Sequence, residues 1–361
     1  MDQRRGLARL VIEEGVSLSE AARRFGVSRV TAGLWVSRAK EVGLAELHEK
    51  SRRPHTSPGA TSQEHVARLL AAKQKRPYWG AKKLLVWLWG DSPPISLSTA
   101  NRILMRNHLS CRSPGSTEAV NSFEHPFSND LWQADFKGLK GPRRDYEVLS
   151  LVDDSTRFCL GFLPIANQSV EVLWEALWSV FGEYGLPARI LSDNGTAFRA
   201  GATRLPSTLQ VRLWRLGVST SYCRVGHPQT QGKVERFHRA AQLELGAELR
   251  QQSAELASKV YEEFRVRYNW ERPHEALGMR TPGTLYKLSE RRRPDKLPEH
   301  EIPEGVLTRK VDNWGNISHK GNRYKLGKGL RGERVILAEG DHDLKVVYME
   351  RTVGYLEDFK V

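Results

Sequence analysis

Three short acidic segments, ordered along the chain but far apart in it, constrain its fold more than any other feature. They are Leu131-Trp132-Gln133-Ala134-Asp135-Phe136, then Leu191-Ser192-Asp193-Asn194-Gly195, then His227-Pro228-Gln229-Thr230-Gln231-Gly232-Lys233-Val234-Glu235-Arg236. Each sets one carboxylate at or beside the end of an expected strand or the start of an expected helix. Hard divalent cations take oxygen ligands from such side chains. Three carboxylates meeting in one fold can hold two metal ions for phosphodiester chemistry. Without a cation between them they repel, and burial raises that cost.

The segments between them supply a scaffold. Residues 130–140, 146–157 and 158–165 are rich in apolar and β-type residues and read as three consecutive antiparallel strands. Residues 170–184 have helical spacing, with Val172, Leu173, Leu177 and Phe181 as the stripe and Gly185 as the stop. A short strand at 188–191, a helix at 209–216, a strand at 218–224 and helices at 230–246 and 254–269 follow. The order β-β-β-α-β-α-β-α predicts a mixed sheet flanked by helices. First and fourth strands can be neighbours in such a sheet. Asp135 then sits mid-strand, Asp193 just after the fourth strand, and Glu235 one turn inside a helix.

On either side the texture changes. Residues 5–42 read as a helical bundle, with Ala22 where two helices cross, Gly26 in the turn, and Ser28 capping a helix to about residue 40. Ala32, Trp35 and Val36 share its buried face. Arg29, Val30 and Arg38 face outward, where a helix-turn-helix meets the major groove. A second three-helix unit spans 63–75, 80–89 and 98–108, with Thr99, Asn101, Arg102 and Arg106 as candidate DNA contacts. The C-terminal 305–361 alternates in short segments punctuated by Gly321, Gly327, Gly329, Gly332 and Gly340, which predicts a small β-barrel. The expected division is 1–47 helix-turn-helix, 48–60 linker, 61–110 second helix-turn-helix, 111–127 linker, 128–290 α/β core and 291–361 barrel.

Charge points to the partner. Of the net +14, residues 1–127 carry +9, with 20 Lys/Arg against 11 Asp/Glu. A basic surplus concentrated at one end favours nucleic acid. Cys111, Cys159 and Cys223 are widely spaced and odd in number, which argues against a disulfide framework or a zinc finger and fits a reducing cytoplasm. No stretch approaches the ~20 apolar residues of a membrane span, and the N-terminal segment lacks a signal peptide's apolar core.

Together, Trp132-Gln133-x-Asp135, Asp193-Asn194-Gly195 and Pro228-Gln229-Thr230-Gln231-Gly232-x-Val234-Glu235 resemble the signature of the retroviral-integrase superfamily, and most closely the DDE transposases of bacterial insertion sequences. Tyr268-Asn269-x-x-Arg272-Pro273-His274, with Leu277 and Pro282 beyond, is similar to the segment closing that family's core. The resemblance covers roughly residues 5–290. It implies an RNase H-like core with a five-stranded mixed sheet. It also implies two Mg²⁺ or Mn²⁺ ions on Asp135, Asp193 and Glu235, which are both metal ligands and catalytic residues. The implied reaction is cleavage at transposon ends and transfer of freed 3′-hydroxyls into target DNA. The implied partners are double-stranded terminal inverted repeats, target DNA and further copies of the chain, with no membrane, in the bacterial cytoplasm at the nucleoid. Two features depart from the family: Asp193 and Glu235 lie 42 positions apart, several more than is common, with the surplus expected at 200–206, and a zinc-binding N-terminal domain is absent.

Other residues carry two readings. Gln231 lies one turn before Glu235 and shares its face, as a DNA contact or a helix starter. Lys233, Arg236 and Arg239 hold phosphates or form a solvated face. His238 is structural or metal-adjacent. Asp153 and Asp154 point to opposite faces and read as a turn or salt bridge rather than as ligands. Two rival functions remain: a non-catalytic DNA-binding regulator derived from such an enzyme, and a nuclease of the same fold that only hydrolyses.

Overall fold

The structure, a computed structural model, describes residues 3–48, 59–110, 125–137, 145–193, 198, 205–222, 232–250, 253–340 and 342–360. It divides into two compact units, Met1–Ala60 and Thr61–Val361.

The first unit contains α1 (Gln3–Ile12), α2 (Leu18–Arg24) and α3 (Arg29–Val42). Ser17 and Ser28 cap α2 and α3, their hydroxyls accepting from the Glu20 and Thr31 N–H groups. Gly26 takes φ 61° in the turn between them, a conformation that favours glycine. Leu7, Ala21, Ala22, Ala32 and Val36 form the core. The small alanines let the helices approach.

The second unit begins with α4 (Gln63–Lys75), α5 (Ala81–Trp89) and α6 (Leu97–Arg106), packed around Leu69, Trp79, Leu84 and Leu104. Sequence reading sets this trio apart as its own domain. In the structure it belongs to the same compact unit as the α/β core. The Trp79 indole N–H donates to Glu244 at 2.9 Å, and Arg76 pairs with Glu271 at 2.6 Å. Contacts between residues this distant in sequence leave no periodic trace.

The core sheet contains β1 (Trp132–Phe136), β2 (Glu147–Asp153), β3 (Cys159–Ile165), β4 (Arg189–Ser192) and β5 (Ser219–Tyr222), in the order β3-β2-β1-β4-β5. Pairs β1–β2 and β2–β3 are antiparallel; β1–β4 and β4–β5 are parallel. On one face lie α7 (Val170–Tyr184) and α8 (Thr208–Arg215), packed on Trp132, Ala134, Leu149 and Leu151. On the other lie α9 (Gly232–Leu245) and α10 (Ala254–Trp270), packed on Val148, Val152 and Phe162. Ser169 caps α7. Gly185 ends it at φ 81°, where a Cβ would stand 2.8 Å from the Arg291 carbonyl oxygen.

Edge strand β3 is finished by a side chain. Asn269 of α10, fully buried, accepts from the Cys159 N–H at 2.8 Å and donates to the Cys159 carbonyl at 2.9 Å. Its amide thus does what a neighbouring strand would do. Beyond the core, β6 (Thr308–Lys310), β9 (Arg334–Ala338), β10 (Lys345–Tyr348) and β11 (Arg351–Tyr355) form an antiparallel sheet in the order β11-β10-β9-β6. A hairpin of β7 (Asn316–His319) and β8 (Asn322–Lys325) shares its apolar core. This β region packs on α8 through Val211 and Trp214.

Candidate active site

The pleat decides which β1 residues face the helix that carries Glu235. Trp132 and Ala134 point to the α7 side, so Gln133 and Asp135 point to the α9 side. Parallel pairing aligns Gln133 with Leu191. Carried two residues on, the register sets Asp135 beside Asp193. Glu235 lies in the first turn of α9 and is exposed.

Asp193 and Glu235 are near enough for their charges to act on Asp135. Burial, then the Asp193 carboxylate, with Glu235 adding, holds the Asp135 carboxyl up at about 6, against the opposing pull of the Phe136 N–H and Lys137. The three charges share one field. Among the described residues, however, no group of three or more His, Cys, Asp or Glu side chains is gathered closely enough to hold a metal ion. Residues 194–197 and 223–231, which flank Asp193 and Glu235 in sequence, lie outside the described residues, and so do Asn194, Gly195 and Gln231.

Three further residues fix the site, and sequence reading assigned a structural role to only one of them. Asp135 faces Ser150 across the β1–β2 ladder. The Ser150 hydroxyl bonds His238 Nε2 at 2.7 Å, and His238 Nδ1 lies 3.6 Å from Asp135 Oδ2. Burial, then Lys137, pushes the His238 imidazole down to about 3, so the ring is neutral. It is a buried structural neighbour of Asp135. Gln133 is fully buried. Its Oε1 accepts from the Val234 N–H at 3.2 Å, and its Nε2 donates to Asp154 at 2.7 Å. A β1 side chain therefore satisfies one of the N-terminal donors of α9 and ties the helix bearing Glu235 to the strand bearing Asp135. Only the Trp-Gln-x-Asp spacing carries any signal of this.

The neighbouring acidic pair is structural, as adjacency predicts. Asp153 accepts from the Thr156 N–H and hydroxyl within the turn and from the Asn129 N–H before β1. Asp154 accepts from Gln133, the His125 N–H and the Lys233 ammonium, the last at 2.8 Å. Lys233 is thereby buried rather than outward-facing, whereas Arg236 and Arg239 are exposed. Arg29 and Val30 are exposed at the start of α3 and Arg38 is half-buried. Asn101, Arg102 and Arg106 are exposed on α6, and the half-buried Thr99 hydroxyl is engaged by Arg102 and Ser96. A cavity of about 830 Å³ around Asn129, Leu277 and Leu285 is lined by none of the three carboxylates.

Comparison with known families matches this architecture segment by segment. A helix-turn-helix domain model matches residues 3–55, and a homeodomain-like domain model matches 31–104. Integrase core domain models match 125–228 and 216–282. The C-terminal domain of IS481 family transposases matches 306–356. Together these matches support an insertion-sequence transposase of the retroviral-integrase superfamily. The Gag-Pol polyprotein of feline leukemia virus is 24% identical to this chain over 189 residues, a match spanning 49% of this chain and 10% of that polyprotein, so the chain covers about a tenth of its curated relative's length. Two solved structures are similar to it. The HTLV-2 integrase catalytic core domain in complex with magnesium (trimeric form) has 17% identity and TM-score 0.36, covering 45% of this chain and 99% of that one. The simian T-cell lymphotropic virus intasome in complex with PP2A regulatory subunit B56 gamma has 16% identity and TM-score 0.39, covering 77% and 96%. No helix among the described residues is long and apolar enough to cross a membrane.

Proposed function

We propose that the chain is a divalent-metal-dependent DNA transposase. It binds the terminal inverted repeats of its element, cleaves at the ends and joins the freed 3′-hydroxyls to target DNA. The observation that carries this reading is the shared field of Asp135, Asp193 and Glu235, supplied by two strand ends and a helix start in an integrase-type core. The donor set fits the metal: three carboxylates offer the hard oxygens that Mg²⁺ or Mn²⁺ takes, and their repulsion is what a cation relieves. Two such ions, when bound, lower the pKa of the attacking water or hydroxyl and stabilise the leaving oxygen.

The chain's own residues hold and orient. Asp135 is fixed on a strand between two paired neighbours and kept in place by His238. Glu235 is fixed through the Gln133–Val234 hydrogen bond. Arg29, Val30 and Arg38 of the first unit, with Thr99, Asn101, Arg102 and Arg106 of the second, are assigned to DNA. Arg236 and Arg239 are assigned to phosphates beside the site, with Gln231 next to them in sequence. Holding two DNA ends at once calls for a dimer or a larger assembly. The bacterial cytoplasm, at the nucleoid, is where such a reaction occurs.

The test is Asp135→Asn, Asp193→Asn and Glu235→Gln, assayed separately for end binding, cleavage and joining. Each variant is expected to bind ends normally and to lose cleavage and joining together. Strand transfer retained by any of them removes that residue from the catalytic set. Cleavage without joining in the unaltered chain selects the nuclease instead, and end binding with neither activity selects the regulator.

A further inference from the structure

A cavity of about 240 Å³ lies where the second helical trio meets the core. Lys83 of α5, Arg157 of the β2–β3 turn, Lys233 and Arg236 of α9, and Arg272 and His274 beyond α10 line it. Three carboxylates stand against the five cations. Asp154 pairs with Lys233 at 2.8 Å, Glu244 holds Arg272 at 2.8 Å, and Glu275 forms part of the wall. Positive charge remains in surplus.

Arg157 is buried at φ 64° at the end of the β2–β3 turn, its guanidinium donating to the Asp154 carbonyl. Two further residues are held in ways that a plain salt-bridge network does not explain. Lys83 is crowded: burial, then the Arg272 guanidinium, pushes its ammonium down to about 8. His274 is 9% exposed, and its Nε2 is buried without a hydrogen-bond partner. An orphaned buried polar atom is costly, and native folds keep few of them.

We propose that this cavity takes one phosphate group of the DNA backbone, so that the second helical trio and the core grip the same strand. The inference rests on the DNA-joining reading above. A tetrahedral anion fits donors arriving from several directions, and the arginine forks of Arg157, Arg236 and Arg272 match its oxygens. Cations that repel one another across the cavity become ligands once an anion sits between them. The Tyr268 carbonyl takes one ring N–H of His274, and the ring, pushed down to about 3 by burial, then Arg272, offers a lone pair at Nε2. A phosphate oxygen there needs a donor. Occupancy therefore draws a proton onto His274, which faces Lys83 from α5, Arg157 from the β2–β3 turn, Lys233 and Arg236 from α9, and Arg272 and Glu275 on its own segment.

The test uses the full chain, a short DNA duplex of arbitrary sequence and sodium sulfate. Lys83→Met removes a crowded cation and is expected to fold at least as well as the unaltered chain. It should weaken duplex binding about tenfold and reduce the slope of log affinity against log salt by about 0.9, one phosphate contact. His274→Leu should weaken binding in the same direction. At matched ionic strength, sulfate should raise the melting temperature of the unaltered chain more than that of either variant. An unchanged salt slope in Lys83→Met overturns the proposal. So does a sulfate response lost in the variant while its DNA slope stays the same, which marks a site for free anions. A lower melting temperature for Lys83→Met without anion also overturns it, because Lys83 would then be a structural partner. Failure to join ends with the slope reduced as expected sinks only the transposase reading; joining with the slope unchanged sinks only the clamp.

Discussion

Gln133→Leu should detach the helix that carries Glu235 from the strand that carries Asp135. The fully buried amide donates from its Nε2 to Asp154 at 2.7 Å, and its Oε1 accepts from the Val234 N–H at 3.2 Å. Leucine has nearly the same volume but neither polar atom, so the change leaves no large cavity. It strands a buried N–H in the first turn of α9, which costs about 1–3 kcal/mol. It also removes one donor from the buried Asp154 carboxylate, and hydrogen bonds to charged groups contribute about 1.5–3 kcal/mol. Asp154 keeps its bonds to Lys233 and the His125 N–H, so the lower half of that range applies. The expected loss is about 2.5–5 kcal/mol, a large share of the 5–15 kcal/mol typical of a domain. Urea unfolding of the chain measures it, as a midpoint shift at constant m-value. Joining activity, assayed well below the transition where the variant is still folded, should fall as well, because Glu235 loses its registration. A loss below about 1 kcal/mol with full activity would refute the view that Gln133 ties the two elements together.

Other expectations follow from the same structure. Asn269→Leu leaves both the Cys159 N–H and carbonyl without their partner and should cost about 2–5 kcal/mol, with faster hydrogen exchange along β3; exchange unchanged there counts against the edge-finishing role. Lys83→Met should be more stable than the unaltered chain near neutral pH. The folded state holds the Lys83 ammonium near 8 against 10.5 for the ordinary group, so the unfolded chain binds more protons between those values and the unaltered chain gains stability as pH rises through them. The advantage of the variant should shrink across that window in parallel pH-dependent melts, and an advantage that grows with pH reverses the sign of the argument. Removing residues 1–60 should leave 61–361 folded with weaker DNA binding. Removing 1–127 should in addition lower the melting temperature, because it strips the Trp79–Glu244 and Arg76–Glu271 contacts from the core; equal melting temperatures for the two truncations would show those contacts to be idle.

Local signals made much of this fold legible. Helix α7 begins after a capping serine and ends at a glycine, so its bounds, Val170–Tyr184, coincide with the sequence expectation. The strand order β3-β2-β1-β4-β5 follows from three antiparallel segments and two crossovers, and it makes the first and fourth strands neighbours as the acidic motifs require. Residues that act through distant partners were not legible. Gln133 was read only as part of a motif, yet its partners lie 21 and 101 positions away. Asn269 reaches 110 positions back to Cys159. Lys233 reads from sequence as a phosphate contact or part of a solvated face; in the fold it is drawn inward by Asp154, whose burial no local pattern reveals. The docking of the second helical trio rests on pairs separated by 165 and 195 positions, which no local pattern reveals.

The most direct measurement is a manganese titration of the full chain bound to duplex DNA, following free aqueous Mn²⁺ by its paramagnetic resonance signal. The account predicts that the unaltered chain depletes the signal and that Asp135→Asn, Asp193→Asn and Glu235→Gln each deplete it much less. Equal manganese uptake by the unaltered chain and all three variants would contradict it.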